Sequence, residues 1–267
     1  MKAVCLAGVV LGAMSMLWGG CARPEPVVIR VMSYNIHHGE GTDGRLDLER
    51  IARVIREAQA DLVALQEVDR GTARTGRVDQ PARLAELTGM QALFEKNIDY
   101  EGGEYGNAIL SHVPIERHRH VPLPNTGDGE QRGLLAAWVR AGSSRLLFCA
   151  THFDFRPADD DRLGAVEVIR GLVRDHPHLP VIVAGDLNAL PESRPIRALL
   201  GFMRDTCPAG LPDAFTAPSR RPRWRIDYVL FTDRPGLAVN DYRILPESTA
   251  SDHRPVVAAF TLSSSAR

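Results

Sequence analysis

The chain sets its acid, amide and imidazole side chains at the ends of apolar runs. Asn35 closes Val31–Tyr34, Glu67 closes Leu62–Gln66 and His152 closes Leu147–Thr151. Asp186 and Asn188 follow Val181–Gly185, Asp227 precedes Tyr228-Val229-Leu230, and Asp252-His253 precede Arg254–Phe260. Strand ends along one edge of a sheet converge in space, and loops on such a rigid edge carry function. Carboxylates gathered with amides and imidazoles, and no cysteine ligand set, suit a hard, oxygen-seeking cation such as Mg²⁺, with Mn²⁺ as its substitute. Singly, each residue has a structural explanation. Asn35 and Asn188 fit turns, Asp186 fits a turn or cap, Glu67 fits an ion pair, and a lone histidine fits a satisfied core. The joint pattern is what points to chemistry.

The elements that must position these groups follow from periodicity. Val27–Ile36 is rich in β-branched residues and reads as a strand ending at Asn35. Leu46, Leu48, Ile51, Val54 and Ile55 recur at helical spacing, which predicts a helix over Asp47–Gln59. Asp61–Gln66 reads as a buried strand, and Pro81–Thr88 as a helix closed by Gly89. Strands are expected over Tyr105–Ser111, Ile115–Val121, Leu134–Arg140, Arg145–His152, Leu179–Gly185, Arg225–Phe231, Leu237–Leu245 and Pro255–Leu262. Helices are expected over Asp160–Arg174 and Arg194–Leu200. Only some strands alternate with helices, so the class is α+β rather than a doubly wound parallel sheet. Two packed sheets with helices outside, in one domain from about Val27 to Leu262, fit the pattern. Residues 22–26 would be a short linker and 263–267 a frayed tail.

Seven blocks carry a resemblance. Ser33-Tyr34-Asn35-Ile36, Leu65-Gln66-Glu67-Val68, Gly106–Ser111, Thr151-His152-Phe153-Asp154, Gly185-Asp186-Leu187-Asn188, Arg225-Ile226-Asp227-Tyr228 and Ser251-Asp252-His253-Arg254-Pro255 occur in this order. So arranged, the chain resembles the endonuclease/exonuclease/phosphatase superfamily, over essentially its whole mature length. The likeness implies a four-layered α/β sandwich, two packed mixed β-sheets flanked by helices. It implies a metal-dependent phosphoesterase that hydrolyses a phosphodiester or phosphomonoester with activated water.

The roles are likewise what the resemblance implies. Glu67 is the principal metal ligand, with Asn35 beside it and Asp252 as a second-side metal or phosphate-site carboxylate. His253 contacts the scissile phosphate and handles a proton, oriented by Asp227. Asp186 aligns or deprotonates the water. Asn188 and His152 donate hydrogen bonds to phosphate oxygens. Asn107 and Arg132 are weaker candidates for the substrate phosphate: Asn107 fits a turn in the sheet equally well, and Arg132 a solvated strand end. His37-His38 read as solvated loop histidines, with substrate or a second metal as the other possibility. Arg220, Arg221, Arg223 and Arg225 read as a solvated run, with a basic rim over the site as the other.

The first 21 residues read as a leader. Met1-Lys2 is followed by an uncharged, mostly apolar stretch to Gly20, ended by Arg23 and Glu25. That is the pattern of an export signal. Gly19-Gly20-Cys21 resembles a lipoprotein cleavage site, although Trp18 stands where leucine is usual. The expectation is an exported, lipid-anchored monomer on the periplasmic or extracellular face; simple cleavage would leave it secreted. The net charge of -1 argues against a dedicated nucleic-acid binder. That charge, His152 where apurinic endonucleases have tyrosine, and the expected tether together favour a lipid or small-molecule phosphoester over DNA. The alternatives are a secreted nuclease and a catalytically dead binding module on the same scaffold. The run from His37-His38-Gly39 to Leu48 and the Asp69-Arg70 pair look most like the bacterial sphingomyelinase-like branch. Whether Cys149 and Cys207 pair is open at this level.

Overall fold

A computed structural model describes residues 25–263. The residues read as a leader, Cys21 among them, and all of the expected tail beyond Ser263 lie outside the described residues. Two six-stranded sheets pack face to face. In the first, β11 (Leu237–Ile244), β12 (Val256–Leu262), β1 (Val27–Asn35), β2 (Leu62–Arg70), β4 (Gly103–Ser111) and β3 (Gln91–Tyr100) lie side by side. In the second the order is β5 (Ile115–Pro122), β6 (Gly133–Ala141), β7 (Ser144–His152), β8 (Val181–Asp186), β10 (Asp227–Phe231) and β9 (Arg204–Asp205). Each sheet is mixed: β1 and β2 run parallel, as do β7 and β8, and the other pairs are antiparallel.

Three separate apolar cores make four layers. The central one, with Val31, Ala64, Ile109, Phe148, Ile182 and Phe260, fills the space between the sheets. A second, with Phe153, Val166, Ile169 and Ile196, seats α3 (Asp160–Asp175) and α4 (Arg194–Leu200) on the outer face of the second sheet. A third, with Met32, Ile51, Ile55 and Leu84, seats α1 (Leu48–Ala58) and α2 (Gln80–Thr88) on the first. Helix α1 buries Ile51, Ala52, Val54, Ile55 and Ala58, a single face at helical spacing. Each large aliphatic side chain buried this way contributes roughly 1.5–3 kcal/mol. The Asp47 carboxylate accepts from Arg50 N at 2.9 Å and caps α1, and Asp79 does the same for α2 through Ala82 N at 3.0 Å. This is the four-layered sandwich expected from the resemblance.

Two strands escape the periodicity reading. Strand β3 is an edge strand whose residues are half-buried or exposed throughout, so no clean alternation marks it. Strand β9 is two residues long. Strand β2 also outruns its apolar stretch: a bulge between Leu65 and Val68 lets pairing resume as far as Arg70. Both cysteines among the described residues are free thiols, with Cys149 buried. No described helix is long and apolar enough to cross a membrane.

Candidate active site

Strand register builds the site. Across the second sheet His152 of β7 stands opposite Asp186 of β8, and Asp227 of β10 stands opposite the same Asp186. Three polar residues from three strands therefore form one row at the sheet's end. Gly185 makes the close β7–β8 approach possible: a Cβ there would collide with the Thr151 carbonyl. The first sheet supplies Asn35 and Glu67. Glu67 sits in the β2 bulge with a left-handed backbone, φ 58°. Such a conformation in a non-glycine residue is held against its preference by its surroundings and turns a side chain off the regular pleat. Asn35 Nδ2 lies 2.9 Å from Glu67 Oε1 and 3.2 Å from Asp186 Oδ2, so it joins the two sheets. Ser251 Oγ donates to the Asn35 carbonyl at 2.7 Å and accepts from His253 N at 3.2 Å, which pins the loop carrying His253 to β1.

The result is a pocket of about 320 Å³. Its floor holds Glu67, His152, Asp186, Asn188 and His253; its wall holds Arg74, Tyr100, Tyr105, Glu130, Arg132 and Phe155. Most of that wall carried no sequence signal. Arg74 and Glu130 are ordinary surface residue types until β2, β4 and β6 bring them together. Arg132 is 5% exposed and beside His152, so it is a site residue and no solvated strand end. Asn107 is buried and donates to the Gly133 carbonyl at 2.9 Å, a structural bond between β4 and the start of β6. Asp252 lies at the edge, 3.4 Å from Ser251 Oγ, and lines neither the pocket nor the two groups of converging ligand atoms found among the described residues. The expectation of a solvated histidine fails for His38, which is 8% exposed and sits beside Glu67; His37 is half-buried. Arg225 is no rim residue either. It pairs with Asp205 at 2.7 Å and lies over the Tyr228 ring.

Protonation divides the two histidines. His253 Nδ1 lies 2.9 Å from Asp227 Oδ2. Burial by itself drives the His253 pKa down; the Asp227 and Asp186 carboxylates outweigh it and hold the pKa well above the usual histidine value. His253 is therefore an imidazolium, with Nε2 3.8 Å from Asp186 Oδ2. His152 is the opposite case. Burial, reinforced by the positive charges of Arg132 and His253, holds its pKa well below the usual value. Its 3.6 Å approach to Asp186 is thus no ion pair. Arg132 Nη1 lies 3.0 Å from His152 Nδ1. A guanidinium only donates, so Nδ1 accepts and the ring proton sits on Nε2. The Asn188 amide donates to the Phe153 carbonyl at 3.1 Å, and its Nδ2 lies 3.1 Å from His152 Nε2. With Nε2 protonated, both nitrogens are N–H donors on residues that line the pocket, and together they can seat an anionic oxygen.

Asp186 is held between these groups. Burial first, and then the Asp227 charge, push its carboxyl up to about 7; His253, Asn188 N–H and the Asn35 amide pull the other way. A carboxyl poised there exchanges a proton with water near neutral pH. Asp227→Asn should therefore move the whole pH–rate profile. It removes a like charge from Asp186 and the opposite charge from His253, so both pKa values fall. Both the acid limb and the alkaline limb of kcat/KM should shift to lower pH. A profile that stays in place would show that Asp227 sets neither group.

Residues 32–253 match the Endonuclease/Exonuclease/phosphatase family. The chain belongs to that family. Family members are phosphoric ester hydrolases, often metal-dependent, and the floor of this pocket has the groups such a reaction uses. A relative in Escherichia coli (strain K12), the uncharacterized protein YbhP, is 26% identical over 247 residues, covering 87% of this chain and 96% of that protein. The 5'-tyrosyl-DNA phosphodiesterase of Caenorhabditis elegans is 27% identical over 172 residues, 61% of this chain and 44% of that protein. Among solved structures, a mannosyl-6-phosphatase of Bacteroides thetaiotaomicron VPI-5482 superposes with a TM-score of 0.71 at 18% identity, over 87% of this chain and 99% of that one. At that identity the likeness shows a shared fold. The endonuclease/exonuclease/phosphatase fold accounts for the pairing of Asn35 and Glu67 from one sheet with His152, Asp186 and Asp227 from the other: the site lies where the two sheets meet.

Proposed function

We propose that the protein is a Mg²⁺-dependent phosphoesterase, with Mn²⁺ as a substitute, that hydrolyses a lipid or small-molecule phosphoester by activated water. One observation carries the reading. The His152 and Asn188 donors, the His253 imidazolium and the Asp186 carboxylate surround the same pocket. The donors fit the oxygens of a phosphoryl group, and Asp186 fits the water that attacks it.

The donor set also fits a hard cation. Glu67 and Asp186 present carboxylate oxygens from two sheets, bridged only by the Asn35 amide, and no thiol lies among them. Glu67 and Asn35 would hold the cation, with Asp252 as an outlying carboxylate. Bound there, the cation would neutralise charge on the phosphate. The chain's own residues do the rest. Asp186 takes a proton from water, and Asp227 holds His253 charged and aimed. His152, kept neutral by Arg132, donates from Nε2. Activity on a phosphoester should vanish with a chelator and return with Mg²⁺ or Mn²⁺. Glu67→Gln should raise the metal concentration needed. Loss of an outer-shell partner alone weakens metal affinity about 10–100-fold, and a lost anionic ligand should cost at least as much. Full activity in chelator would overturn the reading.

The net charge of -1 and the leader favour a substrate other than nucleic acid, met outside the cytoplasm. The C. elegans tyrosyl-DNA phosphodiesterase keeps DNA ends as the second reading. Purified protein assayed against DNA, sphingomyelin, phosphatidylinositol and bis-nitrophenyl phosphate separates the classes. Cys21→Ser should release the protein from membranes or block its maturation, since stable anchoring takes more than one acyl chain on that cysteine. Wild type and variant that fractionate alike as soluble protein would make simple cleavage the answer.

A further inference from the structure

Glu67 belongs to a second group of converging side chains besides the one it forms with Asn35. His37, His38 and Glu67 each bring a ligand atom within 4.8 Å of the other two. The two histidines form a single turn after β1, and both have left-handed backbones, with φ 45° and 43°. Two successive non-glycine residues in that region cost on the order of 1–3 kcal/mol each, which only an over-determined setting sustains. The setting is on hand. Gln80 Nε2 donates to the His38 carbonyl at 2.6 Å, and Asp47 N donates to the Gly39 carbonyl at 2.9 Å. His37 N donates to Asn35 Oδ1 at 3.1 Å. Helices α1 and α2 and strand β1 thus clamp the turn.

The outer partners fix which ring nitrogens are free. His37 Nδ1 lies 3.2 Å from the Glu40 carbonyl oxygen. A carbonyl only accepts, so Nδ1 carries the proton and Nε2 keeps a lone pair. His38 Nε2 lies 3.5 Å from Glu40 Oε2. His38 Nδ1 is buried with no hydrogen-bond partner. A buried polar atom without a partner costs about 1–3 kcal/mol. Glu40 thus orients both rings, one through its backbone and one through its side chain. A ligating histidine whose other nitrogen is held by a carbonyl or carboxylate is the usual outer-shell arrangement of a metal site.

We infer that His37, His38 and Glu67 form a binding site for a borderline divalent transition metal of the Zn²⁺ or Co²⁺ class, distinct in donor type from the oxygen site that shares Glu67. Two imidazoles and one carboxylate are the donor set of catalytic zinc sites that keep a position open. Imidazole nitrogen suits such metals and does not suit Mg²⁺. The inference deepens the phosphoesterase reading by sharing Glu67 with it, but stands on the ligand arrangement alone.

The test reads metal binding rather than turnover. Metal-free wild type is titrated with Co²⁺ in saturating Mg²⁺, and the visible d–d spectrum is followed. Histidine-bound Co²⁺ should give intense bands that Mg²⁺ does not remove. The double variant His37→Asn/His38→Asn should lose the bands and bind Co²⁺ and Zn²⁺ at least about 100-fold more weakly. Asparagine tolerates the left-handed backbone, so the turn is retained, and the unfolding temperature in chelator checks this. If the variant does not fold, long-range proton–nitrogen spectra of wild type with and without Zn²⁺ decide. The two free ring nitrogens should shift on binding. Bands that Mg²⁺ displaces, bands retained in the double variant, or ring nitrogens unmoved by Zn²⁺ would each overturn the site. A protein that hydrolyses no phosphoester yet keeps histidine-dependent Co²⁺ bands would refute the phosphoesterase reading and leave this site standing.

Discussion

His253→Ala should lower kcat by about 10²–10⁴-fold, the range for loss of a positioned acid–base group. His253 is the one imidazolium in the pocket, and its Nε2 lies within 3.8 Å of Asp186 Oδ2. In the proposed reaction it would supply both a charge and a proton to the phosphate. Asp227→Asn should cost less, because the ring keeps its seat while losing the anion 2.9 Å from Nδ1. The informative variant is the double one. If Asp227 acts through His253, then Asp227→Asn on the His253→Ala background should slow turnover scarcely further. Losses that multiply would show that Asp227 works by another route, such as its repulsion of Asp186. The measurement is single-turnover kinetics on all four proteins at one metal concentration.

Asp186→Asn should do two opposite things. Turnover should fall by about 10²–10⁴-fold, since the amide can align water but cannot take its proton. Stability at pH 8 should rise. The folded carboxyl titrates at about 7, against 3.8 for the unfolded one, so the folded protein binds that proton more tightly. The stabilisation from this group is full below about pH 4 and is lost as pH rises through about 7. At pH 8 the folded state carries a buried anion next to Asp227 that asparagine removes. In chelator, the urea midpoint of Asp186→Asn should exceed that of wild type at pH 8, and the gap should close as pH falls toward 4. A variant less stable than wild type at pH 8 would show that Asp186 is held by its partners more than it is opposed by burial and Asp227.

The floor of the site was readable from the chain because its residues are tied to strand ends. Glu67, His152, Asp186, Asn188 and His253 each sit just beyond the end or start of an apolar run, and a run that fills a strand has a determinate end. The wall was not readable. Arg74, Glu130 and Phe155 lie in loops beyond strand ends, and only the packing of the first sheet against the second makes them neighbours. Strand β3 was missed for a related reason, since an edge strand that is half-exposed throughout has no face to alternate.

The sequence by itself determined the layered α+β architecture, the family and the floor of the pocket, because apolar periodicity and short blocks in fixed order are local properties. Tertiary structure alone decided charge and direction. No local signal could say that His253 is an imidazolium and His152 neutral, since the difference lies in which groups each meets: Asp227 and Asp186 for one, Arg132 for the other. Nor could it say that His38 is buried beside Glu67, because that depends on α1, α2 and β1 closing on one turn. Protonation and burial are set by neighbours distant in sequence, through desolvation and Coulomb terms that act only once the sheets have met.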